Sequence, residues 1–214
     1  KKYFIFVFII SLLISKDIFI PEIDSEDIII SHDRYILNYI EKHEQAEWVA
    51  HKLSWNDLQY NLKNKRPSFK RDKKVISGSA SSKDYTHSNY DRGHLVPAAD
   101  FRWSKRLYKE TFLMSNVSPQ KKELNRYIWK DLEKQIRDDW ARLYKELHVT
   151  TGPILNDNLP KLANKYGITK ISIPDYFYKV IIDYKEPGYK GIGFIIPNQK
   201  SNKSFKFYAV SIDS

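Results

Sequence analysis

Tyr90-Asp91-Arg92-Gly93-His94 sets an imidazole two residues from a guanidinium and three from a carboxylate. The group stands at the end of the polar stretch SGSASSKDYTHSNYDRG (77–93) and just before the apolar LVPAA. Histidine has an ordinary pKa of about 6.5, so it can take a proton near neutrality, and loops are where such groups are usually displayed. An isolated histidine carries little weight, and His32, His43, His51, His87 and His148 are read as surface or core residues. His43-Glu44 does not continue to a second histidine four residues on, which removes the helical zinc-protease spacing. The chain has no cysteine. Disulfide frameworks, thiolate nucleophiles, zinc ribbons and iron–sulfur sites are thereby excluded, and any chemistry uses oxygen and nitrogen.

Charge says what such a site could act on. The 214 residues carry 36 Lys and Arg against 26 Asp and Glu, a net charge of +10 that favours a polyanion or an acidic membrane surface. The densest run is NKRPSFKRDKKV (64–75), where Lys65, Arg66, Lys70, Arg71, Lys73 and Lys74 face only Asp72; alone, such a run reads as a solvated loop. Lys1, Lys2 and the apolar run Tyr3 to Ile14 match the basic start and short hydrophobic stretch of a secretory signal, and the run is too short for the ~20 residues of a membrane span. Leu13 is a poor match to the small-x-small cleavage rule. Residues 1–15 are therefore expected as a signal peptide or a short membrane anchor, residues 16–31 as a tether ending in a strand, and 32–214 as one domain, secreted, periplasmic or membrane-anchored.

The elements that must hold His94 can be read from periodicity. Apolar content of 42%, with 15 Tyr, 11 Phe and 5 Trp, suffices for one folded core and excludes a disordered chain. Tyr35, Tyr39, Trp48, Trp55, Tyr60 and the alternation through Ala46–Leu53 predict early strands. TFLMSNVSPQ (111–120) reads as a strand running into a turn at Pro119. From Asn125, an N-cap candidate, Ile128, Trp129, Leu132, Ile136, Trp140, Leu143 and Leu147 recur at helical steps. Beyond them, 147–155, 168–174, 177–184, 191–197 and 205–212 are β-branched or aromatic runs bounded by Gly, Pro and Asn, and predict successive strands. There is no internal repeat and no phosphate-cradling glycine loop.

DRGH (91–94), Ala98-Ala99-Asp100-Phe101, Thr111-Phe112 with SNVSPQ (115–120), and LNRYIWKDLE (124–133) keep an order and spacing that resembles the DNA/RNA non-specific endonuclease family, which includes Serratia-type secreted nucleases and mitochondrial endonuclease G. TGP (151–153), Ile173-Pro174 with Phe177 and Lys179, and FIIPN (194–198) extend the likeness over most of 35–212. The resemblance implies an α+β, ββα-metal (His-Me finger) nuclease fold on a larger antiparallel sheet. It implies a metal-dependent endonuclease that hydrolyses phosphodiester bonds of DNA and RNA to 5′-phosphate products. His94 would be the general base and Asn125 the one direct protein ligand of Mg²⁺, or of Mn²⁺. Glu133 matches the acid that holds metal-bound water, and Arg92 a position near the scissile phosphate. Arg66 is matched to the family's upstream phosphate-binding arginine, with Arg71 as the rival. Asn116 and Gln120 match polar positions that bolster the site on the substrate side. Asn125 and Glu133 are eight residues apart, about two helical turns, which agrees with a shared site.

Arg126 stands where relatives usually carry Gln, and Tyr127 where a small residue is usual; the resemblance also predicts a further segment after FYAVSI (207–212). Partners implied are DNA and RNA through phosphate contacts. An inhibitor protein and the choice between monomer and homodimer are left open by the residues. An inert nucleic-acid or protein-binding module on the same fold is the alternative, and the presence of both His94 and Asn125 favours the enzyme. A basic membrane-surface domain would explain the leader and the charge but not the ordered polar motifs.

Overall fold

The computed structural model describes residues 19–63, 65–185 and 189–212; the leader expected over 1–15 lies outside them. β-Branched and aromatic runs build its main scaffold. Ile29–Ser31 (β1), Tyr35–Ile40 (β2), Gln45–Ser54 (β3), Glu146–Pro153 (β6), Tyr176–Asp183 (β9), Lys190–Pro197 (β10) and Ala209–Val210 (β11) form an antiparallel seven-stranded sheet in the order β1-β2-β3-β6-β9-β10-β11. Two ribbons complete the strands: Asp91–His94 (β4) with Val117–Gln120 (β5), and Lys161–Asn164 (β7) with Gly167–Ser172 (β8). With the helices this is an α+β architecture, as expected.

One continuous helical run over 122–144 lies against the sheet. It comprises a π segment Leu124–Ile128, an α-helix Trp129–Gln135, a second π segment Ile136–Trp140 and a last α-turn Ala141–Tyr144. Its apolar face buries Leu124, Ile128, Trp129, Leu132, Ile136 and Ala141 against Leu53, Leu147, Val149, Phe177, Ile181, Phe194 and Ile196 of the sheet. Each large side chain of this set contributes about 1.5–3 kcal/mol on burial. A smaller core, made of Ala80, Tyr85, Met114, Val117, Leu162 and Ile171, backs the β4–β5 ribbon from the side of the β7–β8 hairpin.

Four local expectations are corrected. The helix begins before Asn125, whose backbone N–H already bonds Lys121 O at 2.9 Å, so Asn125 is not the N-cap and its side chain is free for other work. It ends at Tyr144, because Lys145 adopts φ 69°; Leu147 lies in β6, buried, while Leu143 is 67% exposed. Pro119 sits inside β5, opposite Arg92, rather than at a turn. In a two-stranded ribbon each strand has an edge without a ladder partner, which is where a residue lacking an N–H is tolerated. Phe205–Tyr208 is a 3₁₀ turn begun by Ser204, whose Oγ accepts from Lys206 N, leaving only Ala209–Val210 as strand.

Candidate active site

β4 holds DRGH in a short ribbon braced from several directions. Gly93 is buried, and a Cβ there would overlap the Gln120 carboxamide of the facing strand, so a larger residue would have to displace that side chain. Leu95 N bonds Asn116 O at 3.0 Å; the Asn116 side chain accepts from Val96 N (2.8 Å) and donates to Val96 O (3.1 Å) and Thr111 O (3.0 Å). Asn116 is fully buried with its amide committed to main chain. It therefore steadies the backbone leaving β4 and is not a substrate contact, which corrects the sequence-based expectation. Ser118 donates to Gln45 Oε1 of β3 at 2.5 Å, and Asn198 joins Lys121 N, Pro119 O and Pro174 O, fixing the step from β5 into the helix.

Four residues after His94, Ala98–Phe101 forms a 3₁₀ turn carrying the buried Asp100. One carboxylate oxygen meets His51 Nε2 of β3 at 3.1 Å and the other accepts from Arg137 at 2.9 Å. Burial works to raise the Asp100 pKa, but the bonds from His51 and Arg137 outweigh it and hold the carboxyl below its ordinary range. A single side chain thus ties the segment behind His94 to both the sheet and the helix.

His94 stands in an aromatic cage. Its ring centroid is 5.2 Å from Phe69 and 4.8 Å, edge-on, from Phe112. The two phenyl rings meet because Lys70 and Leu113 form a parallel bridge, with Lys70 N on Phe112 O and Met114 N on Lys70 O. Two guanidiniums cap the cage: Arg66 lies 6.0 Å from the Phe69 centroid and 5.6 Å from Phe112, and Arg92 lies 5.3 Å from Phe69 while donating to Ser82 O at 3.1 Å. Cations over aromatic faces are held by the ring quadrupole and keep their N–H groups available. The side chain of His94 is partly exposed overall, yet its Nε2 is buried and makes no hydrogen bond. An imidazolium would leave a donor unpaired there. Burial first, and then the Arg66 cation, push the His94 pKa down to about 3, so the ring is a neutral proton acceptor at physiological pH.

At the other end of β4, Asp91 Oδ2 accepts from Asn125 Nδ2 at 3.0 Å, and Arg126 clamps the same carboxylate through Nε (2.8 Å) and a terminal nitrogen (2.8 Å). Burial alone would raise the Asp91 pKa; the Arg126 and Asn125 bonds reverse this and lower it. An ionised carboxylate only accepts, so the Asn125 amide nitrogen must face it and Oδ1 is left free. A hard cation needs such an oxygen. Among the described residues no group of three His, Asp or Glu could hold a metal. An ion here would thus rest on the Asn125 carbonyl and water. Gln120 is fully buried beside Gly93, with neither end of its carboxamide bonded within the protein. The residues present fit a hydrated magnesium-type ion.

A sequence model of the DNA/RNA non-specific endonucleases matches residues 15–214. The chain belongs to that family. It is similar to human mitochondrial endonuclease G, with 33% identity over 71% of this chain and 53% of the relative. Nuclease C1 of Cunninghamella echinulata var. echinulata is 31% identical over 79% and 71%. A crystal structure described as the EndoG/EndoGI complex superposes with a TM-score of 0.74 at 27% identity, covering 86% of this chain and 80% of that one. The chain spans about half the length of the mitochondrial endonuclease G and EXOG relatives it matches.

Within this family member the expected residues of the chemistry occupy three places. His94, Arg92 and Arg66 share the aromatic cage. Asn125 reaches β4 through Asp91. Glu133 lies further along the helix, in a partly buried setting where burial raises its pKa to about 7 while Lys179 pulls it back. Lys179 itself is fully buried, donates to Thr151 Oγ1 at 2.5 Å and stands 4.9 Å from the Trp129 ring. The π segment between Asn125 and Glu133 has more residues per turn than an α-helix. It takes back part of the ~80° by which eight α-helical residues overshoot two turns, bringing the two side chains toward one face. Of the two candidate arginines, Arg66 caps Phe69 and Phe112, while Arg71 donates to Ser79 O and lies in the field of Glu44. Motif spacing gives Phe69 and Lys179 no role and marks Arg126 only as a departure. A long-range bridge, a sheet register and an ion pair supply those roles, and no local pattern signals them.

Proposed function

We propose that the chain is a metal-dependent, sugar-non-specific endonuclease that hydrolyses phosphodiester bonds of DNA and RNA to 5′-phosphate and 3′-hydroxyl ends. The observation that carries this reading is an imidazole set against two phenyl rings and capped by two guanidiniums, on the same four-residue strand whose first residue accepts from Asn125 and leaves its Oδ1 free. His94 accepts the proton of the attacking water as its oxygen bonds phosphorus and the P–O3′ bond breaks, the departing 3′ oxygen taking a proton from solvent to become the hydroxyl. Arg66 and Arg92 hold phosphate oxygens, where charge grows in the transition state. Asn125 would hold Mg²⁺, with Mn²⁺ as a substitute, and ionised Glu133 would orient water of its shell. The chemistry such an ion would supply is positive charge that stabilises the negative charge of the transition state. Lys and Arg contacts to phosphate, without base contacts, are the physical basis for acting on both polymers.

The test is supercoiled plasmid and single-stranded RNA incubated with the purified chain in Mg²⁺ or in EDTA, beside His94→Ala. The wild type should nick and then degrade both only with metal, and the substitution should slow cleavage by ~10²–10⁴ while keeping salt-sensitive binding. Intact plasmid and RNA at every divalent metal would leave the binding module as the reading.

A further inference from the structure

Beside the cage lies an open groove of about 510 Å³, lined by Asn61, Leu62, Lys63, Lys65, Arg102 and Tyr108. Three of the six are cations, all well exposed, and none is an acid. The groove is built rather than incidental. Leu62 N donates to Arg102 O at 3.1 Å, which fastens the loop before Arg66 to the turn after Phe101. The Arg102 guanidinium lies 6.0 Å from the Tyr108 ring, which forms the floor. The floor is continuous with the catalytic cage: Tyr108 packs edge-on against Phe112 at 5.3 Å, and Phe112 packs against His94 at 4.8 Å. Arg66, next in sequence to Lys65, caps that same Phe112. Cationic side chains therefore stand both over the ring that touches the imidazole and along the groove whose floor that ring meets.

We infer that Lys63, Lys65 and Arg102 form an accessory site for phosphates of the same nucleic-acid strand, beyond the one being cut. The Phe112 ring alone stands between the groove floor and His94, a reach of roughly three nucleotides at ~3.4 Å of axial advance per nucleotide in a strand. The occupant is a phosphodiester backbone, because the lining offers cations and a tyrosine floor but no convergent set of groups to read a base edge. The site would add affinity for a strand long enough to reach it and add none for a dinucleotide. This inference rests on the proposed nuclease reading for its substrate.

Two measurements test it with the full chain. Binding of a fluorescent single strand, followed in EDTA over a range of KCl, gives the slope of log affinity against log salt. Lys63→Gln/Lys65→Gln/Arg102→Gln should lower that slope by about 2, at ~0.7 for each phosphate left without its cation on a single strand. Lys200→Gln/Lys203→Gln/Lys206→Gln, the same charge change elsewhere on the surface, should leave it in place. In Mg²⁺, wild-type kcat/KM should climb as the substrate lengthens beyond about three nucleotides, and the groove variant should flatten that climb. An unchanged slope, an equal loss in the control, or a parallel length dependence would overturn the accessory site. Failure of the wild type to cut any strand would instead remove the nuclease reading, while the binding slope would still judge the groove.

Discussion

His94 and Glu133 have pKa values pushed in opposite directions by their surroundings, the imidazole down to about 3 and the carboxyl up to about 7. Paired shifts of this kind mark groups with different proton roles. Since His94 is already neutral, kcat/KM should rise with pH as Glu133 ionises, through about 7. Lys179→Met, which removes the cation that favours the Glu133 anion, should move that limb to higher pH; a pH–rate profile with an unmoved limb would refute the link. At Asp91 the prediction concerns affinity. Asp91→Asn gives Asn125 a partner that no longer dictates which end of its amide faces β4, so Mn²⁺ binding measured by calorimetry should weaken ~10–100-fold, the usual effect of losing a group that orients a ligand. Arg126→Gln, which restores the common family residue, should have a smaller effect, because the Asn125–Asp91 bond survives it. These residue types were legible in the sequence. What Arg126 does was not, because its partner is thirty-five residues away.

The β4–β5 ribbon shows how an element can be readable while its supports are not. Asp91 to His94 could be recognised as the site, but a missing side chain at Gly93, which pairs with Ser118, matters only because the Gln120 carboxamide from the same facing strand reaches over it. Gly93→Ala should destabilise by about 1–3 kcal/mol through overpacking, and Gln120→Ala in the same chain should recover much of that in urea unfolding. Asp100 makes the same point between elements. Asp100→Ala strips Arg137 and His51 of the carboxylate they share inside the fold and should cost about 3–5 kcal/mol, seen as a large drop in Tm. The helix was located by its period, but its boundaries were not. Lys145 ends it through a positive φ, and Leu147, which fits the helical spacing, belongs to a strand.

For the whole molecule, pH and salt are the informative variables. Asp72, Asp91 and Asp100 have lowered pKa values, and so does His94. In each case the unfolded chain takes up protons at a higher pH than the folded one, so stability falls with acid. The His94 contribution should be lost from about 6.5 down to about 3, and the carboxylates should steepen the fall below their ordinary 3.8. Glu133 works against this: its raised pKa favours the fold below 4.5, and that help fades as pH rises through about 7. Urea midpoints should therefore decline clearly only on the acid side, and an acid-insensitive midpoint would contradict the lowered values. The net charge of +10 was visible from composition. Which cations face a strand was not, since Arg71 and Lys74 bond the main chain at Ser79 and Ser31 while Arg66 stays at the cage.

The sequence by itself determined the chemistry available: one histidine in an ordered set of polar motifs, an amide oxygen suited to a hard cation, and an excess of positive charge. It did so because residue type sets donor, acceptor and charge, and chain order preserves motif spacing. Only the tertiary structure decided that Asn116 turns inward, that Asp91 aims Asn125, and that Phe69 and Phe112 close around His94. Those outcomes depend on register and burial between segments far apart in the chain, which local pattern does not encode.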